Sequence, residues 1–142
     1  MFFWKRKKKE TELRDYLISR VLELVPYTRV NGDRKNRLAN NANFAFQFIE
    51  GESLLLLLDE KGIAASSGSA CTSGSLDPSH VLLALGRPHE VAHGSLRLSL
   101  SHENRPEEID YILKEVPGII QYLRDMSPVW DELERGQRSH LI

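Results

Sequence analysis

Residues 62–82, GIAASSGSACTSGSLDPSHVL, hold the only cysteine of the chain, Cys71, in a run of serine, glycine and other small residues. A cysteine used for packing normally lies among apolar side chains and behaves as a small hydrophobic residue. No neighbour of Cys71 within five positions is larger than threonine or leucine, and Gly68 and Gly74 flank it at equal spacing. Because glycine opens backbone conformations closed to other residues, the run predicts a mobile arm carrying a thiol. The alternative is a buried, inert cysteine, since free cysteines are often buried.

Length and cysteine content limit what the chain can be. Its 142 residues correspond to one ordinary domain, large enough to bury a stable core. A single cysteine excludes an intrachain disulfide and a metal site built only from cysteines of this chain. These features are typical of a protein in a reducing compartment, so we expect a cytoplasmic location.

Charge is distributed unevenly along the chain. The net charge is −1, but residues 5–9 contribute five of the 19 basic residues, which leaves 14 basic against 20 acidic residues elsewhere. A nucleic-acid-binding domain would show a basic folded body instead. We therefore expect no nucleic-acid partner.

The N-terminal segment places the aromatic residues 2–4 before the basic run 5–9. Such a pattern can anchor a protein at a membrane surface. The interpretation that we favour is a solvated, frayed terminus. The longest apolar run, residues 54–58, is far too short to cross a bilayer. We therefore do not expect a membrane partner.

Apolar periodicity and turn residues divide the chain into helices and strands. Alternation over residues 43–49 predicts a strand whose core side carries Phe44, Phe46 and Phe48. The expected elements are helices over residues 11–25, 51–61, 78–85, 104–116 and 119–123, and strands over residues 43–49, 63–65 and 94–100. They predict an α/β (α+β) fold, in which a small antiparallel sheet is covered by helices.

Helix ends follow from a few polar residues and prolines. Asp77 is a credible N-cap with Pro78 at the first helical position. Asn104 is expected to cap the following long helix, with Glu107 three residues on. Pro117 is expected to kink or break that helix.

The strand over residues 94–100 carries a candidate binding residue. Leucines 96, 98 and 100 fall on one side, and Arg97 falls on the other side with Ser95 and Ser99. A solvent-facing salt bridge explains such an arginine equally well from the pattern alone.

Three stretches resemble the NifS/IscS-type cysteine desulfurases of the class V aminotransferase family. Residues 62–82 closely resemble their active-cysteine loop, residues 92–100, AHGSLRLSL, resemble a strand whose arginine binds the substrate carboxylate, and residues 123–130, LRDMSPVW, resemble their C-terminal segment. The resemblance implies a pyridoxal-phosphate enzyme in which Cys71 takes sulfur from L-cysteine as a persulfide, leaving L-alanine. It also implies that Arg97 binds the substrate α-carboxylate, which a planar guanidinium suits. The sulfur would pass to an iron–sulfur scaffold or another acceptor.

The resemblance covers about residues 13–130 and corresponds to the C-terminal small domain of fold-type I pyridoxal-phosphate enzymes. We expect a basic and aromatic tail over residues 1–10 that matches nothing in the family, the small domain over residues 11–135, and a C-terminal tail over residues 136–142. No Ser-x-His-Lys signature is present, so no residue is assigned to the cofactor. A large domain or a homodimer partner is expected to supply the missing part. Residues 102–103 depart from the basic and aromatic residues usual after the arginine strand.

No metal site is expected within the chain. The histidines show no compact zinc spacing and are expected to be surface or packing residues; they are His80, His89, His93, His102 and His140. His93 is the best exception, because it lies near Arg97 in the sequence. The resemblance leaves open that Cys71 serves as a transient iron–sulfur ligand together with a scaffold. A rival reading is a non-catalytic small domain that binds partners or relays sulfur.

Overall fold

The computed structural model describes residues 2–67 and 79–140. Three antiparallel strands, in the order β1 (Thr28–Val30), β2 (Asn41–Phe46) and β3 (Ser95–Ser99), form its sheet. The helices of the described residues are α1 (Phe3–Leu24), α2 (Gly51–Glu60), α3 (His80–Ala84), α4 (His89–Ala92), α5 (Pro106–Asp125) and α6 (Pro128–Glu134). The predicted small antiparallel sheet covered by helices is confirmed.

The core lies between one face of the sheet and the three longer helices. Phe44 and Phe46 of β2 are fully buried, and their rings stack at 5.7 Å between centroids. Leu17 of α1, Leu58 of α2 and Ile120 of α5 are buried in the same cluster. This burial explains why the leucine and phenylalanine periodicities predicted the main elements well.

The strand predicted over residues 43–49 ends early, at Phe46. Phe48 has a left-handed backbone, with φ of 71°, which leaves the extended conformation of a strand. Its ring packs edge-on against Tyr27 and Trp130 and does not join Phe44 and Phe46. The expectation of one aromatic face was therefore wrong for Phe48.

Several helix boundaries also differ from the sequence-based expectation. α1 begins at Phe3, so the N-terminal segment is helical and not frayed, and residues 2–4 are exposed. α5 runs without a break through Pro117, because Val116 and Ile119 on either side are buried against the core and offset the lost hydrogen bond.

The start of α5 corrects the predicted cap. The N-cap residue is Arg105, whose backbone N–H donates to the carboxylate of Glu108 at 3.0 Å. Asn104 instead accepts the backbone N–H of Ser101 at 2.7 Å. The predicted N-cap at Asp77 lies outside the described residues.

A close backbone approach fixes the start of β3. The N–H of Phe46 donates to the carbonyl of Gly94 at 2.8 Å, and a Cβ on Gly94 would lie 2.0 Å from the carbonyl oxygen of Phe46. The N–H of Gly51, the first residue of α2, donates to the carbonyl of His93 at 2.8 Å. β3 is thus tied to the end of β2 and to the start of α2 at one point.

A buried arginine holds the C-terminal helices onto the sheet. The guanidinium of Arg124 donates to the carbonyls of Gln47 and Tyr27, each at 3.2 Å, and lies 5.0 Å from the ring centre of Trp130. Burial lowers the pKa of Arg124 to about 10, so it remains charged at neutral pH. Tyr27 is left-handed, with φ of 55°, which turns its carbonyl toward this clamp.

Replacing Gly94 by alanine is expected to destabilise the fold strongly, because the new methyl group meets a backbone oxygen that cannot move without disturbing the sheet. The free energy of unfolding should fall by about 3 kcal/mol or more. Gly118→Ala is the matched control, since a Cβ there meets nothing within 4 Å and the position lies inside α5. It should raise stability by about 0.5–1 kcal/mol. Urea denaturation of both variants checks this, and equal effects would contradict the close approach.

Candidate functional site

The face of β3 that points away from the core carries a small polar site. Ser95 is buried and Arg97 is half-buried, whereas Ser99, the last residue of β3, is exposed and lies outside this site. In the register with β2, Arg97 lies opposite Asn43 and Ser95 lies opposite Ala45. Directly opposite residues of an antiparallel pair share a face, so Asn43 and Arg97 are neighbours on this side of the sheet.

The segment that leads into the cysteine run is joined to β3 at Arg97. Ser66 and Arg97 form an antiparallel bridge, in which the N–H of Ser66 donates to the carbonyl of Arg97 at 3.1 Å and the N–H of Arg97 donates to the carbonyl of Ser66 at 2.6 Å. The hydroxyl of Ser95 also donates to the carbonyl of Ser67 at 2.9 Å. This bridge replaces the strand predicted over residues 63–65. Cys71 lies outside the described residues, as does most of the predicted arm.

The guanidinium of Arg97 has an unused hydrogen-bond donor. Its Nε atom is buried and has no hydrogen-bond partner, and the described residues provide no ion pair for its side chain. Buried donors of folded proteins are nearly always satisfied, so an orphan of this kind calls for an acceptor other than those in the described part of the chain. A carboxylate is the acceptor that best matches a guanidinium.

Two asparagines and a second arginine extend the site across the sheet. The side-chain Nδ2 of Asn31 donates to Oδ1 of Asn43 at 2.8 Å, and Nε of Arg87 donates to Oδ1 of Asn31 at 3.0 Å. Burial lowers the pKa of Arg87, and the positive charge of Arg29 lowers it further. The sequence analysis did not predict this series of hydrogen bonds, because it assigned residues 31–33 to a turn and Asn43 to a strand with an aromatic core side.

The lysines do not provide a seat for pyridoxal phosphate. A Schiff-base lysine must be held inside a pocket, but Lys9 is half-buried, with Nζ donating to the carbonyl of His102 at 2.7 Å, and every other lysine is exposed. The other lysines are Lys5, Lys7, Lys8, Lys35, Lys61 and Lys114. Residues 2–67 and 79–140 therefore do not fit the cofactor.

The described residues show neither a metal-binding cluster nor a membrane-spanning helix. No three of their histidine, aspartate and glutamate side chains are grouped as metal ligands. His80 and His93 are exposed, and the ring of His140 lies 5.4 Å from that of Tyr27. No helix in the described part of the chain is both long and apolar enough to cross a membrane.

Comparison with known proteins yields a consistent set of relatives. The family model described as aminotransferase class-V matches residues 3–112, so the match begins inside the segment expected to resemble nothing in the family. The chain is 57% identical over 118 residues to cysteine desulfurase NifS of Azotobacter vinelandii, covering 83% of the chain and 29% of that protein. It is 59% identical over 118 residues to cysteine desulfurase IscS of Methanosarcina thermophila, with 83% and 29% covered.

Solved structures agree with the sequence matches. A NifS-like protein superimposes with a TM-score of 0.70 at 30% identity, over 84% of this chain and 29% of that one. A NifS-like protein from Rickettsia africae gives 0.70 at 26% identity, over 82% and 29%. The chain thus spans about three-tenths of the length of the relatives that it matches.

Arg97 of β3 and Arg124 of α5 should respond differently to the same substitution. Arg97→Met removes no hydrogen bond to the described residues, so the free energy of unfolding should change by about 0.5 kcal/mol or less. Arg124→Met removes the guanidinium donor of the Gln47 carbonyl and one of the two donors of the Tyr27 carbonyl, which keeps the N–H of Gln47 at 3.1 Å. The loss of these bonds and of the buried packing should cost about 3 kcal/mol. Urea denaturation of both variants is the measurement. A loss for Arg97→Met as large as for Arg124→Met would show that Arg97 has a structural role.

Proposed function

Since the chain belongs to the aminotransferase class-V family, we propose that it is the sulfur-accepting part of a cysteine desulfurase. Its relatives at 53–59% identity are named cysteine desulfurases. In this proposal Arg97 binds the α-carboxylate of L-cysteine and Cys71 receives the sulfur. The observation that carries the proposal is the bridge between Ser66 and Arg97. It ties a residue five positions before Cys71 to an arginine with an unused donor.

Arg97 suits the role of a carboxylate ligand. Its Nε is already desolvated by burial and faces no competing acceptor among the described residues. A guanidinium can meet both oxygens of a carboxylate at once, which fixes the direction of the bound molecule as well as its position. L-cysteine held in this way would present its sulfur at a defined distance from the sheet.

Cys71 suits the role of the sulfur acceptor because of where its segment starts. It follows Ser67 by four positions, so covalent geometry keeps its Cα within about 14 Å of the Cα of Ser67. Transfer would convert L-cysteine and the thiol of Cys71 into L-alanine and a persulfide on Cys71, with the thiolate as the nucleophile. The persulfide would then be passed on by exchange with an acceptor.

The family's cofactor would be held elsewhere. The described residues do not fit pyridoxal phosphate, so we assign it to the part of the relatives that lies outside these 142 residues. We further propose an iron–sulfur scaffold as the sulfur acceptor and the cytoplasm as the location, in keeping with a free, single cysteine.

A chimeric enzyme tests the proposal. Residues 3–112 and the segment that follows them would replace the matching part of cysteine desulfurase NifS of Azotobacter vinelandii, to which the chain is 57% identical. The chimera should release alanine from L-cysteine and gain the mass of one sulfur atom on the tryptic peptide containing Cys71. Arg97→Met should raise KM by a factor of roughly ten or more, as expected for a lost charge-assisted hydrogen-bond pair.

Two controls give the experiment its meaning. Cys71→Ser should abolish both the sulfur adduct and alanine release, whereas the isolated chain mixed with pyridoxal phosphate and L-cysteine should release no alanine. A folded chimera that binds the cofactor but leaves Cys71 unmodified would contradict the proposal and favour a non-catalytic partner-binding domain. Alanine release by the isolated chain would contradict the assignment of the cofactor to the rest of the protein.

A further inference from the structure

We propose that Asn43 is a second ligand of the carboxylate bound at Arg97, and that Arg87 fixes the orientation of the Asn43 amide through Asn31. This inference rests on the proposed function, because it takes Arg97 as the carboxylate site. It assigns a binding role to Asn43 and positioning roles to Asn31 and Arg87.

The side chains of Arg97, Asn43 and Asn31 form one row across the sheet, and Arg87 contacts the Asn31 end of that row. Arg97 lies opposite Asn43 in the ladder between β3 and β2. On the other side of Asn43, the N–H of Asn31 donates to the carbonyl of Asn43 at 2.8 Å, which continues the ladder between β2 and β1 by one residue. Opposite residues in such ladders have Cβ atoms about 4.5–5.5 Å apart. Asn43 therefore lies between Asn31 and Arg97, within side-chain reach of both.

The orientation of the amides follows from the chemistry of Arg87. A guanidinium has donors only, so the atom of Asn31 that faces Nε of Arg87 must be the oxygen, Oδ1. The NH₂ group of Asn31 is then directed at Asn43, whose facing atom must also be an oxygen. The NH₂ group of Asn43 is left over, and it donates to no described residue. Because Arg87 can only donate, it fixes the amide orientation of Asn31 and, through Asn31, that of Asn43.

An unused NH₂ beside an unused guanidinium Nε makes a site for an anion. Among residues 2–67 and 79–140, neither the NH₂ group of Asn43 nor the buried Nε of Arg97 on this face has an acceptor. With the opposite orientation, the carbonyl oxygen of Asn43 would face the guanidinium and compete with the ligand. Arg87 therefore keeps the amide oxygen of Asn43 from accepting the hydrogen bond of the Arg97 guanidinium. A planar carboxylate can then accept hydrogen bonds from both Asn43 and Arg97.

Acetate titration followed by NMR tests the inference on the chain itself. The probe is the Nε–H signal of Arg97, assigned by its loss in Arg97→Met, with sodium chloride at equal ionic strength as the reference. Acetate should shift this signal with saturation. Asn43→Ala should weaken the affinity roughly tenfold. Asn43→Asp should shift the signal before any acetate is added and prevent acetate binding, because its carboxylate pairs with Arg97.

Variants of Arg87 separate orientation from mere packing. Arg87→Lys keeps a donor-only group and should retain most of the acetate affinity, whereas Arg87→Met should reduce it although backbone spectra still show the folded chain. Ser99→Ala, on the same face but exposed, is the control and should bind as the unmodified chain does. Unchanged affinity in Asn43→Ala would overturn the second ligand, and equal affinities in Arg87→Lys and Arg87→Met would overturn the orienting role. Both results leave the proposed function standing, whereas no acetate-dependent shift in the unmodified chain contradicts it together with this inference.

Discussion

The contact between Gly94 and the carbonyl of Phe46 is the constraint on which the site depends. Only a residue without a side chain can bring the start of β3 this close to the end of β2, since a Cβ would lie 2.0 Å from the oxygen. The same turn receives the N–H of Gly51 from α2. With β3 fixed at its first residues, the register places Arg97 opposite Asn43 and leaves its other edge for Ser66. A sub-ångström shift at this point would move both the arginine and the root of the cysteine run.

Arg124, which is buried, and Arg97, which is half-buried, have different roles in this fold. The guanidinium of Arg124 donates to carbonyls of the turns that flank the sheet, and these hydrogen bonds hold α5 and α6 in place. Arg97 keeps a buried donor without a partner, which is a cost for a folded chain unless a ligand removes it. Within one small domain, Arg124 thus contributes to the stability of the fold, whereas Arg97 keeps a donor for a ligand.

The sequence predicted the elements whose side chains alternate in a regular way. The periodicity of β3 and of α1 was sufficient, because burial of one face follows directly from it. The short strand β1 and helix α4 have too few residues to show a period. Helix α5 passes through Pro117 because tertiary burial outweighs the lost hydrogen bond. Local pattern cannot reveal such compensation.

The residues of the candidate site also fall into those that a local pattern indicates and those that only the tertiary structure brings together. Cys71 and Arg97 were singled out by a resemblance of local motifs, and their roles remain proposals. The bridge at Ser66 and the row through Asn43 and Asn31 depend on strand register, which joins residues far apart in the chain. No local signal in the sequence marks those pairs.

The central claim is that a carboxylate bound at Arg97 lies within reach of Cys71. The rate of alkylation of Cys71 by iodoacetate, compared with iodoacetamide, measures this directly, because Cys71 is the only thiol of the chain. The account predicts that the iodoacetate rate saturates with concentration and loses its saturation in Arg97→Met, while the rate with neutral iodoacetamide stays linear and unchanged. An iodoacetate rate that is linear and indifferent to Arg97→Met would contradict it.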